Sequence, residues 1–213
     1  VYLLHGYTDN DMGWMQFGEA HLLADEAIAN REIPPMILVM PDAGVSYYIN
    51  NYNNSVRYED FFFQEFIPFI EKEYRIRAEK RYRGVAGLSM GGYGTLVYTL
   101  KHPDMFSACA AFSAAIRTEE DIINQPPSHW KIVNAQLFGP ALEGQDRITN
   151  HYKSYNLFSI VDNSDIEKIK TTRIYLDCGD DDFLDKGNAL FHVKLKDKQI
   201  PHEYRVRDGA HNW

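Results

Sequence analysis

The chain has 213 residues, 45% of them hydrophobic and 14% aromatic, and a formal net charge of −8. This length and apolar content fit a single α/β domain spanning residues 1–213 with a substantial core. The acidic balance, with no basic block, argues against a nucleic-acid or anionic-membrane partner, and no apolar run reaches the roughly 18 residues of a membrane span.

In chain order, Val1-Tyr2-Leu3-Leu4 reads as a buried strand that ends in His5-Gly6-Tyr7-Thr8-Asp9. A helix is predicted over Phe17–Ala29 and a strand over Met36–Met40, followed by a Tyr- and Asn-rich loop, Asp42–Arg57. An amphipathic pattern over Tyr58–Tyr74 predicts a helix, with Pro68 inside it as a source of a kink. The next strand, Tyr82–Ala86, runs into Gly87-Leu88-Ser89-Met90-Gly91, and a helix is predicted over Gly92–Lys101. Strand, glycine-flanked serine and helix form the context of a nucleophile elbow, a sharp turn that presents a serine hydroxyl at the edge of a sheet. Serine is a weak nucleophile at its free pKa and requires a neighbouring base.

A strand over Ala108–Phe112 precedes a long irregular stretch, Arg117–Asp165, read as an insertion over the top of the sheet. Another strand, Arg173–Cys178, leads into Gly179-Asp180-Asp181-Asp182-Phe183. After a helix over Lys186–Gln199 and a strand over Glu203–Val206, the chain reaches Asp208-Gly209-Ala210-His211-Asn212-Trp213. The alternation predicts a mostly parallel sheet with helices on both faces. Cys109 and Cys178 lie in apolar runs and are expected to be buried free thiols. A strand at residue 1 and a histidine motif at the end lead us to expect further sheet elements outside these residues.

His211 is the best base, because it follows a strand in the order Ser, acid, His that this class of turn uses. The acid belongs to the loop after Cys178, where pattern alone leaves Asp180, Asp181, Asp182 and Asp185 open. That segment lacks the ligand spacing of a calcium loop. The backbone N–H groups of Tyr7 and Met90 are the expected oxyanion donors. Tyr47 and Tyr48 suit stacking against a sugar or phenolic ring, and equally an ordinary polar loop. Trp130, with His129, fits either an acyl-pocket wall or a subdomain core.

Leu3-Leu4-His5-Gly6-Tyr7, Met40-Pro41-Asp42, Ala86-Gly87-Leu88-Ser89-Met90-Gly91-Gly92, Cys178-Gly179-Asp180-Asp181-Asp182-Phe183 and Gly209-Ala210-His211-Asn212-Trp213 occur in this order. Together they resemble the esterase family that contains feruloyl, acetyl xylan and tributyrin esterases and S-formylglutathione hydrolase. The resemblance is greatest to bacterial feruloyl or acetyl xylan esterases. It implies an α/β-hydrolase fold, no cofactor and no metal, and a G-x-x-D-F acid that selects Asp182. It also implies an ester substrate such as acylated xylan, and a secreted or periplasmic location. The family sheet carries two strands before the His-Gly strand and a helix after the histidine, which this chain lacks. The alternatives within this reading are a short-chain carboxylesterase, an acyltransferase or an S-formylglutathione hydrolase-like activity. A non-catalytic carbohydrate-binding module is a rival of another class, against which the complete Ser, Asp and His set argues.

Overall fold

A computed structural model describes residues 1–213. Five strands, β1 (Tyr2–Leu4), β2 (Gly84–Leu88), β3 (Ala108–Phe112), β4 (Arg173–Gly179) and β5 (His202–Arg207), form one sheet in the order β1-β2-β3-β4-β5. All four pairings are parallel. Leu4 lies opposite Gly87, Leu88 opposite Phe112, and Phe112 opposite Asp177. The carboxyl ends therefore align, and the loops after β1, β2, β3, β4 and β5 open on one edge. In open α/β sheets that edge is where ligands bind.

The helix Met90–Lys101 packs on β1, β2 and β3. It is buried at every position from Met90 to Leu100, because the sheet, the helix Leu157–Asn163 and the aromatic residues of 58–66 enclose it. Alternation in β2, β3 and β4 points Val85, Cys109, Ala111, Ile174 and Leu176 into this core. On the opposite face Trp14, in the short helix Gly13–Gln16, packs edge to face against Phe112. Both cysteines are buried and unpaired. No helix is long and apolar enough to cross a membrane.

Three local expectations change. The strand expected over Met36–Met40 reduces to one parallel bridge, Val39 with Tyr2. Pro34, Pro35 and Pro41 bracket it, and proline supplies no ladder N–H. The helix over residues 58–73 contains a π-turn, Phe62–Phe66, with the Ile67 N–H donating to the Phe62 carbonyl. Pro68 follows directly. Its ring excludes the ordinary bond to residue 64, and the widened turn accommodates it. The insertion is largely helical, with Glu119–Ile123, Pro127–His129, Trp130–Asn134, Ala135–Phe138, Asn150–Tyr155 and Leu157–Asn163 in succession. Pro127 at a helix start and Gly139 at φ 124° cut it into pieces too short to display a helical period.

Candidate active site

Ser89 stands between β2 and the helix Met90–Lys101 with φ 58° and ψ −114°, a conformation rare outside glycine. Its N–H donates to the Phe112 carbonyl at 2.9 Å, and its own carbonyl accepts from Tyr93 and Ala115, both at 3.0 Å. The flanking glycines are sterically required. A Cβ on Gly87 would lie 2.2 Å from the Gly91 carbonyl, and one on Gly91 would lie 2.1 Å from the Leu4 carbonyl. β1, the turn and the helix thus meet backbone to backbone, which forces the serine outward.

His211 lies beyond β5 and its Nε2 is 2.9 Å from Ser89 Oγ. Its Nδ1 is 2.8 Å from Asp182 Oδ2. Asp182 is 2% exposed, and its Oδ1 accepts the Leu184 N–H at 2.8 Å. Burial opposes its ionisation, but the Ser113 hydroxyl, the Leu184 amide and His211 outweigh that cost and hold the carboxyl below its ordinary value. A buried acceptor of this kind fixes Nδ1 as the protonated nitrogen and leaves Nε2 to accept from the serine. The acid and histidine loops touch where the Gly209 carbonyl would meet a Gly179 Cβ at 2.1 Å. The Asp181 N–H donates to that carbonyl at 3.0 Å, and the Gly209 N–H donates to Asp180 Oδ1 at 3.2 Å. Asp180 and Asp181 are exposed, beside Asp208, and do not reach the imidazole.

Gly6 brings the loop after β1 against the serine, since its Cβ would lie 3.8 Å from Ser89 Cβ. Tyr7 lines the cavity beside Ser89. Met90 opens the buried helix, where a first-turn N–H has no intrahelical partner. His5 is a support for this loop. Its Nδ1 bonds the Gly6 carbonyl at 2.7 Å and its Nε2 accepts the Ala43 N–H at 2.9 Å, which describes a neutral ring.

A cavity of about 600 Å³ opens over Ser89 and His211. Tyr47, Tyr93, Phe138, Tyr152, Tyr155 and Phe183 give it an aromatic wall, and Arg117, Asn134 and His129 supply polar groups. Trp213 also lines it and crosses Trp14 edge to face at 5.0 Å. Of the three expected substrate-binding aromatics, Tyr47 lines this cavity and Tyr48 and Trp130 do not. Tyr48 is fully buried under Gly94, and its hydroxyl donates to the His5 carbonyl at 3.0 Å. Trp130 is 2% exposed, with its indole N–H donating to the Gly139 carbonyl at 3.0 Å and Arg147 4.7 Å above its ring. It is the core of the insertion. Tyr93, Arg117, Ser113 and Phe183 escaped the reading of the sequence, although Ser113 and Arg117 lie just past the carboxyl end of a strand, the position that marks such sites.

A family model described as "Putative esterase" matches residues 1–213. The chain belongs to this esterase family. An acetyl esterase of Caldicellulosiruptor saccharolyticus is 28% identical over 222 residues, covering all of this chain and 77% of that protein. An endo-1,4-beta-xylanase/feruloyl esterase of Xylanibacter ruminicola is 34% identical over 126 residues, covering 57% of this chain and 17% of that protein. The solved structure of a ferulic acid esterase is 32% identical, with a TM-score of 0.79, covering all of this chain and 77% of that one. The esterase has the α/β-hydrolase architecture of these structural relatives.

Proposed function

We propose that this esterase is a serine carboxylesterase that cleaves feruloyl or acetyl esters of plant cell-wall polysaccharide through an acyl-enzyme. The observation that carries the chemistry is the chain of contacts from Ser89 Oγ through His211 to buried Asp182. Ser89 Oγ attacks the ester carbonyl as His211 Nε2 takes its proton. The Tyr7 and Met90 amides hold the oxyanion, each worth about 3 kcal/mol in such a site. The tetrahedral intermediate collapses as the ester C–O bond breaks, and His211 returns the proton to the departing alcohol. Water then attacks the acyl carbonyl as His211 takes its proton, and His211 returns that proton to Ser89 Oγ as the acyl C–O bond breaks and the acid leaves. Asp182 holds the imidazole in register and balances the positive charge it acquires.

The substrate assignment draws on the aromatic lining of the cavity, which suits a phenolic acyl group and leaves room for more of the substrate. It draws also on the ferulic acid esterase and the xylanase/feruloyl esterase among the relatives. A polymeric substrate does not cross a membrane, so the enzyme acts in a secreted or periplasmic location. The test is hydrolysis of methyl ferulate, acetylated xylan and p-nitrophenyl acetate by the wild type and Ser89→Ala. The variant is expected to lose nearly all activity on every ester while keeping its fold. Near-native turnover by Ser89→Ala would remove the mechanism, and a wild type active on p-nitrophenyl acetate alone would remove the polysaccharide assignment.

A further inference from the structure

The mechanism leaves the cavity's one arginine unused. Arg117 follows β3 and is the only lysine or arginine lining the space above Ser89. Arg57, Arg83, Arg205 and Arg207 each pair with a carboxylate. Buried Arg147 is satisfied by the carbonyls of Leu142, Ile122 and Gln125. Arg117 has neither kind of partner. The hydrogen bond made there uses its backbone carbonyl, which accepts from Asn156 Nδ2 at 3.5 Å. Its guanidinium carbon lies 5.7 Å from the Phe183 ring centre. The one carboxylate on the cavity wall, Asp9, sits on the oxyanion loop beside Gly6.

A guanidinium presents five donors in a planar fork matched to a carboxylate, and inside a half-closed cavity it is incompletely solvated. Its position indicates which half of an ester it meets. The Phe183 ring that Arg117 overlies packs against the His211 imidazole at 4.7 Å. His211 must protonate the leaving oxygen, so groups gathered around the imidazole face the alcohol. Arg117 and Tyr47 line the same cavity, and the guanidinium eases the ionisation of the Tyr47 hydroxyl, which burial and Tyr7 push up to about 12.

We infer that Arg117 selects esters whose alcohol portion carries a carboxylate, as an acylated saccharide with a neighbouring uronic acid does. The inference rests on the Ser89 esterase reading and refines its substrate class.

The experiment uses two matched pairs. The first, 4-carboxyphenyl acetate and 4-carbamoylphenyl acetate, places the charge on the alcohol. The second, phenyl hydrogen succinate and phenyl succinamate, places it on the acyl group. Rates are normalised to hydroxide-catalysed hydrolysis of each ester. At low salt the wild type is expected to favour 4-carboxyphenyl acetate in kcat/KM by about tenfold, the usual scale of a charge-assisted bond. Arg117→Gln should bring that ratio to about one and Arg117→Lys should keep part of it, while added salt should shrink the wild-type ratio. The succinate pair should show no preference. A wild-type ratio near one, a ratio unchanged in Arg117→Gln, or a preference confined to the succinate pair would overturn the inference and leave the esterase reading intact. Failure of the wild type to hydrolyse any of the four would remove both.

Discussion

A serine at φ 58° carries about 1–3 kcal/mol of backbone strain, which the surrounding structure must over-determine. Here the determinants are three carbonyl and amide contacts at Ser89 and two glycine crossings too close for any Cβ. The strain buys a hydroxyl that stands clear of the sheet and meets His211. Asp182 completes the arrangement, and its neighbours separate support from function. Asp182→Asn presents an amide to Nδ1 and disturbs the tautomer, so kcat is expected to fall by about three to four orders of magnitude. Asp180→Asn retains an Oδ1 that accepts the Gly209 N–H and should cost about threefold or less. Steady-state kinetics on p-nitrophenyl acetate compares the two, and a sensitive Asp180 with an indifferent Asp182 would reverse the assignment. Four aspartates within six residues look alike in a sequence. Only the family's G-x-x-D-F pattern singles out Asp182 there; the physical reason is the Gly179–Gly209 crossing, a contact between segments 30 residues apart that brings Asp182 to His211.

At the level of elements, the helix of residues 58–73 is tied to the cavity wall by a charge buried behind it. Glu59 is 5% exposed and accepts from Lys101 at 2.7 Å, His102 at 2.8 Å and the Tyr155 hydroxyl at 2.6 Å. Tyr155 lines the cavity and also holds the Asn50 N–H at 3.3 Å, so one carboxylate links this helix, the Asn-rich loop and the insertion. Burial alone would raise its pKa, but His102, Lys101 and Tyr155 outweigh it and bring the carboxyl from 4.5 to about 2. A depressed carboxylate stabilises the fold fully above its unfolded value, and that contribution disappears as pH falls from 4.5 toward 2. Glu59→Gln is expected to lose about 3 kcal/mol at neutral pH, the scale for breaking a buried ion pair. It should also flatten the fall of stability below pH 4.5, as read from urea midpoints at several pH values. An unchanged acid limb would exclude Glu59 as its source. Five of the six expected strands, the serine turn and the histidine loop were legible because short apolar runs and glycines mark them, whereas the apolar run Met36–Met40 misled between its flanking prolines. The insertion was not, because helices of three to seven residues end before their period repeats.

Across the whole molecule, five strand ends converge on one edge and the insertion roofs it, so the proposed chemistry and the proposed selection draw on different parts of the chain. The strand loops hold Ser89, Asp182 and His211, while the aromatic wall comes largely from the loop of residues 42–57 and the insertion. Tyr47 represents that wall. Its ring centre lies 5.9 Å from those of both Tyr7 and Tyr93. Tyr47→Ala is expected to raise KM for methyl ferulate about tenfold and to change p-nitrophenyl acetate much less, because the small ester lacks the aromatic contact. Equal changes on both would place Tyr47 outside acyl recognition. Residue type identified the aromatic candidates, but it could not say which side of the backbone each would take. Tyr47 and Tyr48 are neighbours at φ 54° and 63°, yet one faces the cavity and the other lies beneath the loop after β1.

The placement of the three indoles makes the protein its own optical probe. Trp14 and Trp213 cross at 5.0 Å beside the opening, close enough for their electronic transitions to couple and to give a signed near-ultraviolet dichroism band. Trp130 lies apart, beneath a guanidinium inside the insertion. A ligand entering the cavity should alter the coupled band through Trp213 and leave Trp130 unchanged. Loosening of the insertion should do the opposite, shifting the emission of Trp130 alone. Occupancy and roof integrity can thus be followed on separate signals, without a label and without turnover.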